Sequence, residues 1–373
     1  PVGHYCPSMT EYATEFPCPR GTYSNRLNLG SEDECTKCTP GSYCEEEGLT
    51  APTGLCSEGF YCGLGSSVSN PHDSDPFHVS YVGETCVSMN AEAVNDICPP
   101  GHYCPEGSSG PLQCPPGTNT SSFGLSSISQ CESCVKGYYC PLSGTVLATR
   151  KCLAGYYCPS GTANPTDDDT LVCPTGSYCP VGSDYPIACP AGTYQDQRGN
   201  DTCKSCPAGY YCESDTTTPV ECPAGYYCPH NTRFATEYPC PVGTFSDMTT
   251  LGSVDECQPC TPGKYCGSVA LQAPTYDCTA GYYCGLGSSV STPHDSDPFH
   301  VSYVGETCVS VNKTAVNDVC PPGHYCPEGS SSPIQCPPGT NSSALGLTSE
   351  SECPSCVKGY YCPLSGTVLA TRK

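Results

Sequence analysis

Apolar side chains along this chain stand mostly singly or in pairs, and many of them are tyrosines placed directly before a cysteine. No stretch shows the 3.6-residue apolar period of an amphipathic helix. Segments of two to five residues instead alternate with turn sequences such as Ser-Gly-Thr and Pro-Glu-Gly. The pattern predicts short β-hairpins and turns with little helix.

Two short cysteine patterns recur. In Cys-x-x-Gly-x-Tyr-Cys, the invariant glycine predicts a corner with positive φ or a close backbone approach, and the tyrosine offers a flat apolar face to a disulfide. The second pattern, Cys-Pro-x-Gly-Thr, opens a loop that closes on Cys-x-x-Cys. The first pattern begins at Cys38, Cys56, Cys98, Cys134, Cys152, Cys173, Cys206, Cys222, Cys260, Cys278, Cys320 and Cys356. The second begins at Cys18, Cys114, Cys189, Cys240 and Cys336.

A longer repeat contains these patterns. Residues 1–151 align with residues 223–373 without a gap, at a constant offset of 222. We therefore divide the chain into a first cysteine-rich block at 1–151, further cysteine-rich modules at 152–222 that complete the unit, and a second copy of the block at 223–373.

The composition excludes a large helical or doubly wound enzyme. The 39 glycines and 40 prolines are far more than long helices tolerate. A chain with only 7 Phe, 3 Met and no Trp is too poor in large apolar residues to offset the entropy of folding by core burial alone. The 37 cysteines predict that covalent cross-links supply the difference.

The charge is equally informative. The 37 Asp and Glu residues against 14 Lys and Arg give a net charge of −23, and such an acidic surface repels phosphate, so we expect no nucleic-acid partner. We also expect no membrane span and no signal peptide in this window. Both ends of the sequence fall inside the repeat pattern, which suggests a fragment of a longer protein.

The five Cys-x-x-Cys pairs raise the question of zinc. Zinc modules need two such pairs, or one pair and two histidines, converging over a dozen or so residues. Here successive pairs are separated by 54 to 96 residues, and the chain has only 8 histidines. We therefore expect structural disulfides, no metal and no cofactor.

The patterns together resemble the ephrin-receptor-like cysteine-rich repeat, which is akin to modules of the tumour-necrosis-factor-receptor type. Residues 189–228 match best, and segments 63–85 and 285–307, which lack cysteine, depart from the pattern. The resemblance implies tandem small disulfide-rich modules in an elongated rod. It also implies five disulfides, namely Cys18 to Cys35, Cys114 to Cys131, Cys189 to Cys203, Cys240 to Cys257 and Cys336 to Cys353.

The number of cysteines per unit is odd, because residues 1–222 contain 23. In a periodic array, each disulfide that a unit makes to the next unit is matched by one that it makes to the preceding unit. Complete pairing within the chain therefore requires an even number of cysteines per unit. One cysteine per unit is therefore free or bonded to another chain. Our hypothesis is that these are Cys86 and its copy Cys308, which end the two cysteine-free segments.

Four Asn-x-Ser/Thr sequons predict N-linked glycans at Asn119, Asn200, Asn341 and Asn312. The first three lie at equivalent places in the loop between Cys-Pro-x-Gly-Thr and Cys-x-x-Cys, where a glycan has room. Asn312 is the weaker candidate, because its counterpart Asn90 lacks the acceptor threonine.

The most distinctive stretch is residues 70–86, copied at 292–308. Its residues His72, Asp73, Asp75 and His78 either bind a divalent cation or form a solvated turn. The alternation that follows predicts a short strand whose apolar side chains either dock on another module or chain, or pack within their own module. The candidate docking residues are Phe77, Val79, Tyr81, Phe299, Val301 and Tyr303.

No catalytic constellation is present: we find neither a Gly-x-Ser-x-Gly elbow after an apolar strand nor a phosphate-binding Gly-x-x-x-x-Gly-Lys motif. We expect a non-enzymatic, glycosylated, extracellular or cell-surface protein. The leading hypothesis is a self-associating repeat of a protist filament or surface appendage, such as a flagellar hair or sheath fibre. The alternative is the stalk or ectodomain of a receptor, an adhesion protein or a variant surface antigen.

Overall fold

The computed structural model describes residues 1–72, 80–82, 85–88, 96–294, 302–304, 307–310 and 318–372, and for the strands within 80–88 and 302–310 the description covers the backbone. The chain forms two compact units. One consists of Pro1–Ile187 with Gln197–Thr202, and the other of Ala188–Asp196 with Cys203–Lys373. The sequence blocks 1–151, 152–222 and 223–373 are defined by repetition, and they stay a prediction.

Short strands and turns make up the described residues, which contain no α-helix and no helix able to cross a membrane. This confirms the predicted fold class of tandem small disulfide-rich modules. The strands are β1 (Thr22–Tyr23), β2 (Thr36–Lys37), β3 (Ser42–Tyr43), β4 (Gly54–Leu55), β5 (Phe60–Tyr61), β6 (Ser80–Val82), β7 (Thr85–Ser88), β8 (Asp96–Ile97), β9 (His102–Tyr103), β10 (Leu112–Gln113), β11 (Thr118–Asn119), β12 (Glu132–Ser133), β13 (Ser177–Tyr178), β14 (Ile187–Ala188), β15 (Thr193–Tyr194), β16 (Lys204–Ser205), β17 (Tyr210–Tyr211), β18 (Val220–Glu221), β19 (Thr244–Phe245), β20 (Gln258–Pro259), β21 (Lys264–Tyr265), β22 (Tyr276–Asp277), β23 (Tyr282–Tyr283), β24 (Ser302–Val304), β25 (Thr307–Ser310), β26 (Asp318–Val319), β27 (His324–Tyr325), β28 (Ile334–Gln335), β29 (Tyr360–Tyr361) and β30 (Thr371–Arg372). The 3-10 helices are Glu32–Glu34, Ile128–Gln130, Pro165–Asp167, Asp169–Leu171, Val254–Glu256 and Glu350–Glu352.

The sheets of the described chain are two-stranded. In β1 and β2, Thr22 lies opposite Lys37 in an antiparallel register. The first strand of such a hairpin follows the glycine of the repeated pattern, and the second ends directly before the first cysteine of the next pattern. We call the segment that begins at each such first cysteine a module, so the β1–β2 hairpin belongs to the Cys18 module.

Each module contains a disulfide, which begins at the first cysteine of that module. Among the described residues, twelve of the 17 disulfides join cysteines six residues apart, as in Cys38–Cys44, whose Cα atoms are 5.9 Å apart. The other five open at Cys-Pro-x-Gly-Thr and end at the first cysteine of Cys-x-x-Cys. They are the same five pairs that the resemblance implies, Cys18–Cys35, Cys114–Cys131, Cys189–Cys203, Cys240–Cys257 and Cys336–Cys353.

Three cysteines stand outside these bonds. Cys6 is free and exposed, and it is the counterpart of Cys228, which bonds to Cys222. The side chains of Cys86 and Cys308 lie outside the described residues. The hypothesis that these two are free or bonded to another chain therefore stays a prediction.

Small separate clusters, most of them built around a disulfide, replace a continuous core. Most buried hydrophobic residues are the cysteines themselves. The aromatic residue of one module packs on the disulfide of the next: Tyr61 contacts Cys98 and Cys104. In the modules with a longer loop, a leucine joins the cluster, as Leu251 does beside Cys240. The disulfides thus serve both as covalent links and as the apolar surface that the aromatic rings cover.

Removing a disulfide should cost stability in proportion to the logarithm of the loop that it closes. We expect the double variant C114A/C131A to lose about 3 kcal/mol and C134A/C140A about 2 kcal/mol in the chain-entropy account. Thermal unfolding without reductant measures the difference, and C6S is the control, because Cys6 forms no disulfide. Unfolding midpoints of both double variants equal to that of C6S would contradict this account of the modules.

Candidate functional site

The junction between consecutive modules is the candidate functional element, because it recurs along the chain with the same geometry. At each junction the glycine of one module lies against the disulfide of the next. Gly21 donates its N–H to the carbonyl of Cys44 at 2.9 Å, and Cys38 donates its N–H to the carbonyl of Gly21 at 2.8 Å. We call this pair of hydrogen bonds the glycine clamp.

The same disulfide is bonded on its other side by the module that follows. Gly65 donates its N–H to the carbonyl of Cys38 at 2.8 Å, and Cys44 donates its N–H to the carbonyl of Ser66 at 2.9 Å. We call Gly65–Ser66 and its equivalents the turn pair. The four backbone polar groups of the two cysteines are therefore all satisfied by neighbouring modules, as buried amides require.

This arrangement repeats in both units. Sixteen modules, from the one that opens at Cys18 to the one that opens at Cys356, have a first cysteine whose N–H donates to the glycine of the preceding module. The distances lie between 2.8 and 3.0 Å. Because the bonds involve backbone atoms alone, the junction depends on the position of glycine and cysteine and tolerates variation elsewhere.

Steric exclusion explains why glycine never fails at the clamp. Gly137 has a φ of +79°, and a Cβ built on it would stand 2.7 Å from the carbonyl oxygen of Gly182. Gly182 belongs to the turn pair two modules further on, so three consecutive modules meet at Gly137. Any side chain there would both strain the backbone and push the third module away.

The Cys-Pro-x-Gly-Thr modules use the same junction without the second cysteine. Ser24 takes that position: Gly3 donates its N–H to the Ser24 carbonyl at 2.8 Å, and Ser24 donates its own N–H to Leu49 at 2.9 Å. The disulfide of Cys18 is made to Cys35 instead, while the backbone hydrogen bonds of the junction are the same. The residues in the position of the second cysteine are all buried, and they are Ser24, Thr120, Gln195, Ser246 and Ser342.

The turn pair also explains the frequent Pro-x-Gly-Ser/Thr sequence after the second cysteine. The residue with positive φ is usually glycine, and the hydroxyl that follows it bonds back to the proline carbonyl. Thr162 donates from its Oγ1 to the carbonyl of Pro159 at 2.7 Å. Sequence reasoning missed this second motif, although its signal recurs after most of the modules.

The predicted glycosylation sites fall in two different environments. Asn119 lies on β11 opposite Glu132, and Asn341, its copy, is half-buried and donates its backbone N–H to Pro354 at 3.0 Å. Asn200 lies in the loop instead, next to the turn residue Gly199, so the three sites are not equivalent in place. Asn312 lies outside the described residues. Occupancy of all four sites stays a prediction.

The predicted docking residues Phe77, Val79, Phe299 and Val301 also lie outside the described residues. Tyr81 and Tyr303 are on β6 and β24. Their backbones pair with Cys86 on β7 and Cys308 on β25 respectively. The structure thus places each of these tyrosines across a hairpin from the cysteine that our parity argument singles out.

Only one residue of the candidate cation site, His72, is described. Its Nδ1 lies 3.7 Å from Oδ1 of the buried Asp96, and the copy repeats the pair with His294 and Asp318 at 3.6 Å. The histidines are about two-thirds exposed in both copies. Within the described ranges no three such side chains converge as metal ligands. Sequence reasoning missed the aspartates, because they are distant from the histidines along the chain.

Charged groups elsewhere serve local turns. Hydrogen bonds from the hydroxyl and the N–H of Thr170 lower the pKa of Asp168, which caps the 3-10 helix Asp169–Leu171. Hydrogen bonds from Arg233 likewise lower the pKa of Glu237. Asp168 also lines an open recess of about 390 Å³ beside the turn at 159–164. Asp168, in the exposed acidic run at 167–169, thus takes part in helix capping.

No protein-family model matches this chain, and a comparison with curated proteins finds no match either. The assignment to a tandem cysteine-rich repeat therefore rests on the disulfides, the hairpins and the junctions described above.

Replacing a clamp glycine should open its junction. We expect G137A to destabilise its module by about 2 to 4 kcal/mol, because a Cβ adds both left-handed strain and a contact with the Gly182 carbonyl. G110A is the matched control, since a Cβ on Gly110 meets no atom within 4 Å. Hydrogen exchange of the Cys152 amide, which donates to Gly137, measures the effect. Equal exchange in both variants would contradict the clamp.

Glycine in place of a turn residue that has a side chain and positive φ should stabilise the fold. Ala270 has a φ of +60°, whereas its counterpart in the first copy is Gly48 with a φ of +73°. We expect A270G to raise the free energy of unfolding by up to about 1 kcal/mol, because relief of left-handed strain exceeds the added entropy of the unfolded chain. G48A is the reverse change and should lower it. Thermal unfolding of both variants checks the sign, and a lower midpoint for A270G would contradict the account.

Proposed function

We propose that this chain is a structural repeat of an extracellular filament or cell-surface appendage, such as a flagellar hair or sheath fibre of a protist. Seventeen disulfides indicate an extracellular, structural or surface protein, because such bonds form and persist in oxidising compartments. The observation that carries the filament proposal is the junction, whose hydrogen bonds repeat from module to module within each unit. An array of this kind can be lengthened by duplication without a new interface.

Two further features support a mechanical role. Each module bonds through backbone atoms to the modules before and after it, and its covalent bond lies within the module. The 222-residue repeat has the form that duplication of a length-giving unit produces. The proposal therefore includes a stiff or semi-stiff rod, glycans on the surface, and no enzymatic activity or cofactor. It also places the modules with the ephrin-receptor-like cysteine-rich repeats.

Lateral bonding between chains belongs to the same proposal. Cys86 and Cys308 remain after the 34 bonded cysteines and Cys6, and both lie on hairpins that pair with no third strand in the described part of the chain. We propose that they form disulfides to neighbouring chains. The apolar residues around Tyr81 and Tyr303 would then lie in the contact.

The alternative is a receptor or adhesion stalk, or a variant surface antigen, in which these modules carry a binding head. The same disulfide density and the same junctions suit a stalk. This alternative predicts a ligand-binding domain of unrelated sequence and a membrane segment elsewhere in the full-length protein, whereas the filament predicts more copies of the 222-residue unit.

Electron microscopy of the native protein, prepared without reductant, separates the two functions. We expect long fibres with a regular axial repeat, because the modules within each unit are joined in series by the same type of junction. Separate short stalks would overturn the filament proposal and favour the alternative.

The lateral bonds can be tested on the secreted chain in a C6S background, which removes the exposed free thiol. We expect covalent oligomers on a non-reducing gel, and only monomer when C86S and C308S are added. A monomer in the C6S background alone, with both thiols open to alkylation, would contradict the lateral bonds while leaving the serial array untouched.

A further inference from the structure

Asparagine replaces an aromatic residue at one repeated position of the hairpins. In the Cys-Pro-x-Gly-Thr modules the residue after threonine is aromatic three times, as Tyr23, Tyr194 and Phe245. In the Cys114 and Cys336 modules it is Asn119 and Asn341. Both asparagines begin a glycosylation sequon, whereas the three aromatic residues do not.

The asparagine occupies the same place in the hairpin as the ring. Asn119 lies opposite Glu132, and Glu132 directly follows the cysteine that ends the loop. Phe245 lies opposite Gln258, which follows its own loop cysteine in the same way. The two side chains therefore leave the hairpin at the same register and on the same face.

The ring at this position has a structural task. Phe245 is 8% exposed and packs on Cys260 and Cys266 of the next module and on Leu271. Tyr194 likewise lies beneath the ammonium group of Lys204, which is 5.9 Å from the ring centre. Asparagine has no ring with which to cover such an area, so the Asn119 hairpin lacks this aromatic contact.

The side-chain amide of Asn119 makes no hydrogen bond within the described residues. Its Oδ1 is buried without a hydrogen-bond partner, and in the described part of the chain no hydrogen bond holds its Nδ2. A native hairpin with a buried unpartnered acceptor and no ring is costly as it stands. Attachment of an N-linked glycan to Nδ2 would therefore break no hydrogen bond of this nitrogen.

We infer that the first sugar of an N-linked glycan on Asn119 takes the place of the aromatic ring and stabilises the β11–β12 hairpin. Nδ2 forms a bond to the anomeric carbon of a sugar on a polyprenyl pyrophosphate carrier, the bond from that carbon to the pyrophosphate oxygen breaks, and Nδ2 loses a proton. The glycan is then part of the module fold, beyond covering the surface. The inference rests on the extracellular placement in the proposed function.

The test uses the chain secreted from a host that performs N-glycosylation. S121A removes the sequon and keeps Asn119, whereas N119Y removes the sequon and restores the ring. Mass spectrometry of the peptide measures occupancy, and hydrogen exchange measures the amides of β11 and β12. We expect S121A to exchange at least tenfold faster than the wild type and N119Y to exchange at the wild-type rate.

The matched control is N200Q, which removes a sequon in a loop, keeps a side-chain amide there and should leave exchange in its neighbouring hairpin, β15 and β16, unchanged. An unoccupied Asn119 in the wild type, wild-type exchange in S121A, or equally fast exchange in N119Y and S121A would each overturn the inference. Fibre formation by these variants is scored separately by electron microscopy. If fibres form but any of those three results is found, the inference fails and the proposed function stands. If the expected exchange rates are found but no fibres form, the proposed function fails and the inference stands.

Discussion

In the described part of the chain, the twelve disulfides that join cysteines six residues apart are hydrogen-bonded through their backbone to the preceding module, and all but the last of them also to the following module. This constraint governs the rest of the structure. The preceding module supplies the N–H and the carbonyl of one glycine, and the following module supplies the two halves of a turn pair. The glycine must have positive φ and no Cβ, since another module approaches it within van der Waals distance. The cysteines must be six residues apart, or else the loop cysteine must take over the covalent bond.

These backbone hydrogen bonds explain how a chain so poor in large apolar residues can hold a defined fold. The cysteine pairs are almost fully buried, so their amides need partners, and the neighbouring modules provide them. The disulfides limit the conformations of the unfolded chain, and the aromatic residues cover the sulfur atoms. Since side chains outside these positions contribute little, the exposed surface can be strongly acidic and varied without loss of the module.

The sequence predicted the disulfide-rich modules but not the junctions between them. The six-residue spacing of cysteines, the invariant glycine and the absence of a helical period were sufficient for short disulfide-linked hairpins. The partner of each glycine was not predictable, because Gly137 and Gly182 lie 45 residues apart and no local pattern connects them. The equivalence of Ser24 with a second cysteine was missed for a related reason: the match lies in backbone geometry, which the change of side chain conceals.

The candidate sites show the same division. The sequons were visible as triplets, but only the hairpin register shows that Asn119 stands where other modules have a ring, while Asn200 does not. The buried Asp96 was overlooked because its partner His72 is remote along the chain and the intervening segment is an insertion within one hairpin. Local chemistry was therefore readable from the sequence, whereas pairings across long loops required the fold.

The most direct test of the central claim is the disulfide map of the unreduced protein, obtained by proteolysis and mass spectrometry with free thiols alkylated beforehand. The account predicts peptides that link each first cysteine to the cysteine six residues later, as in Cys38–Cys44, and that link Cys18 to Cys35. Bonds within the Cys-x-x-Cys pairs, such as Cys35 to Cys38, or alkylation of most cysteines, would contradict it.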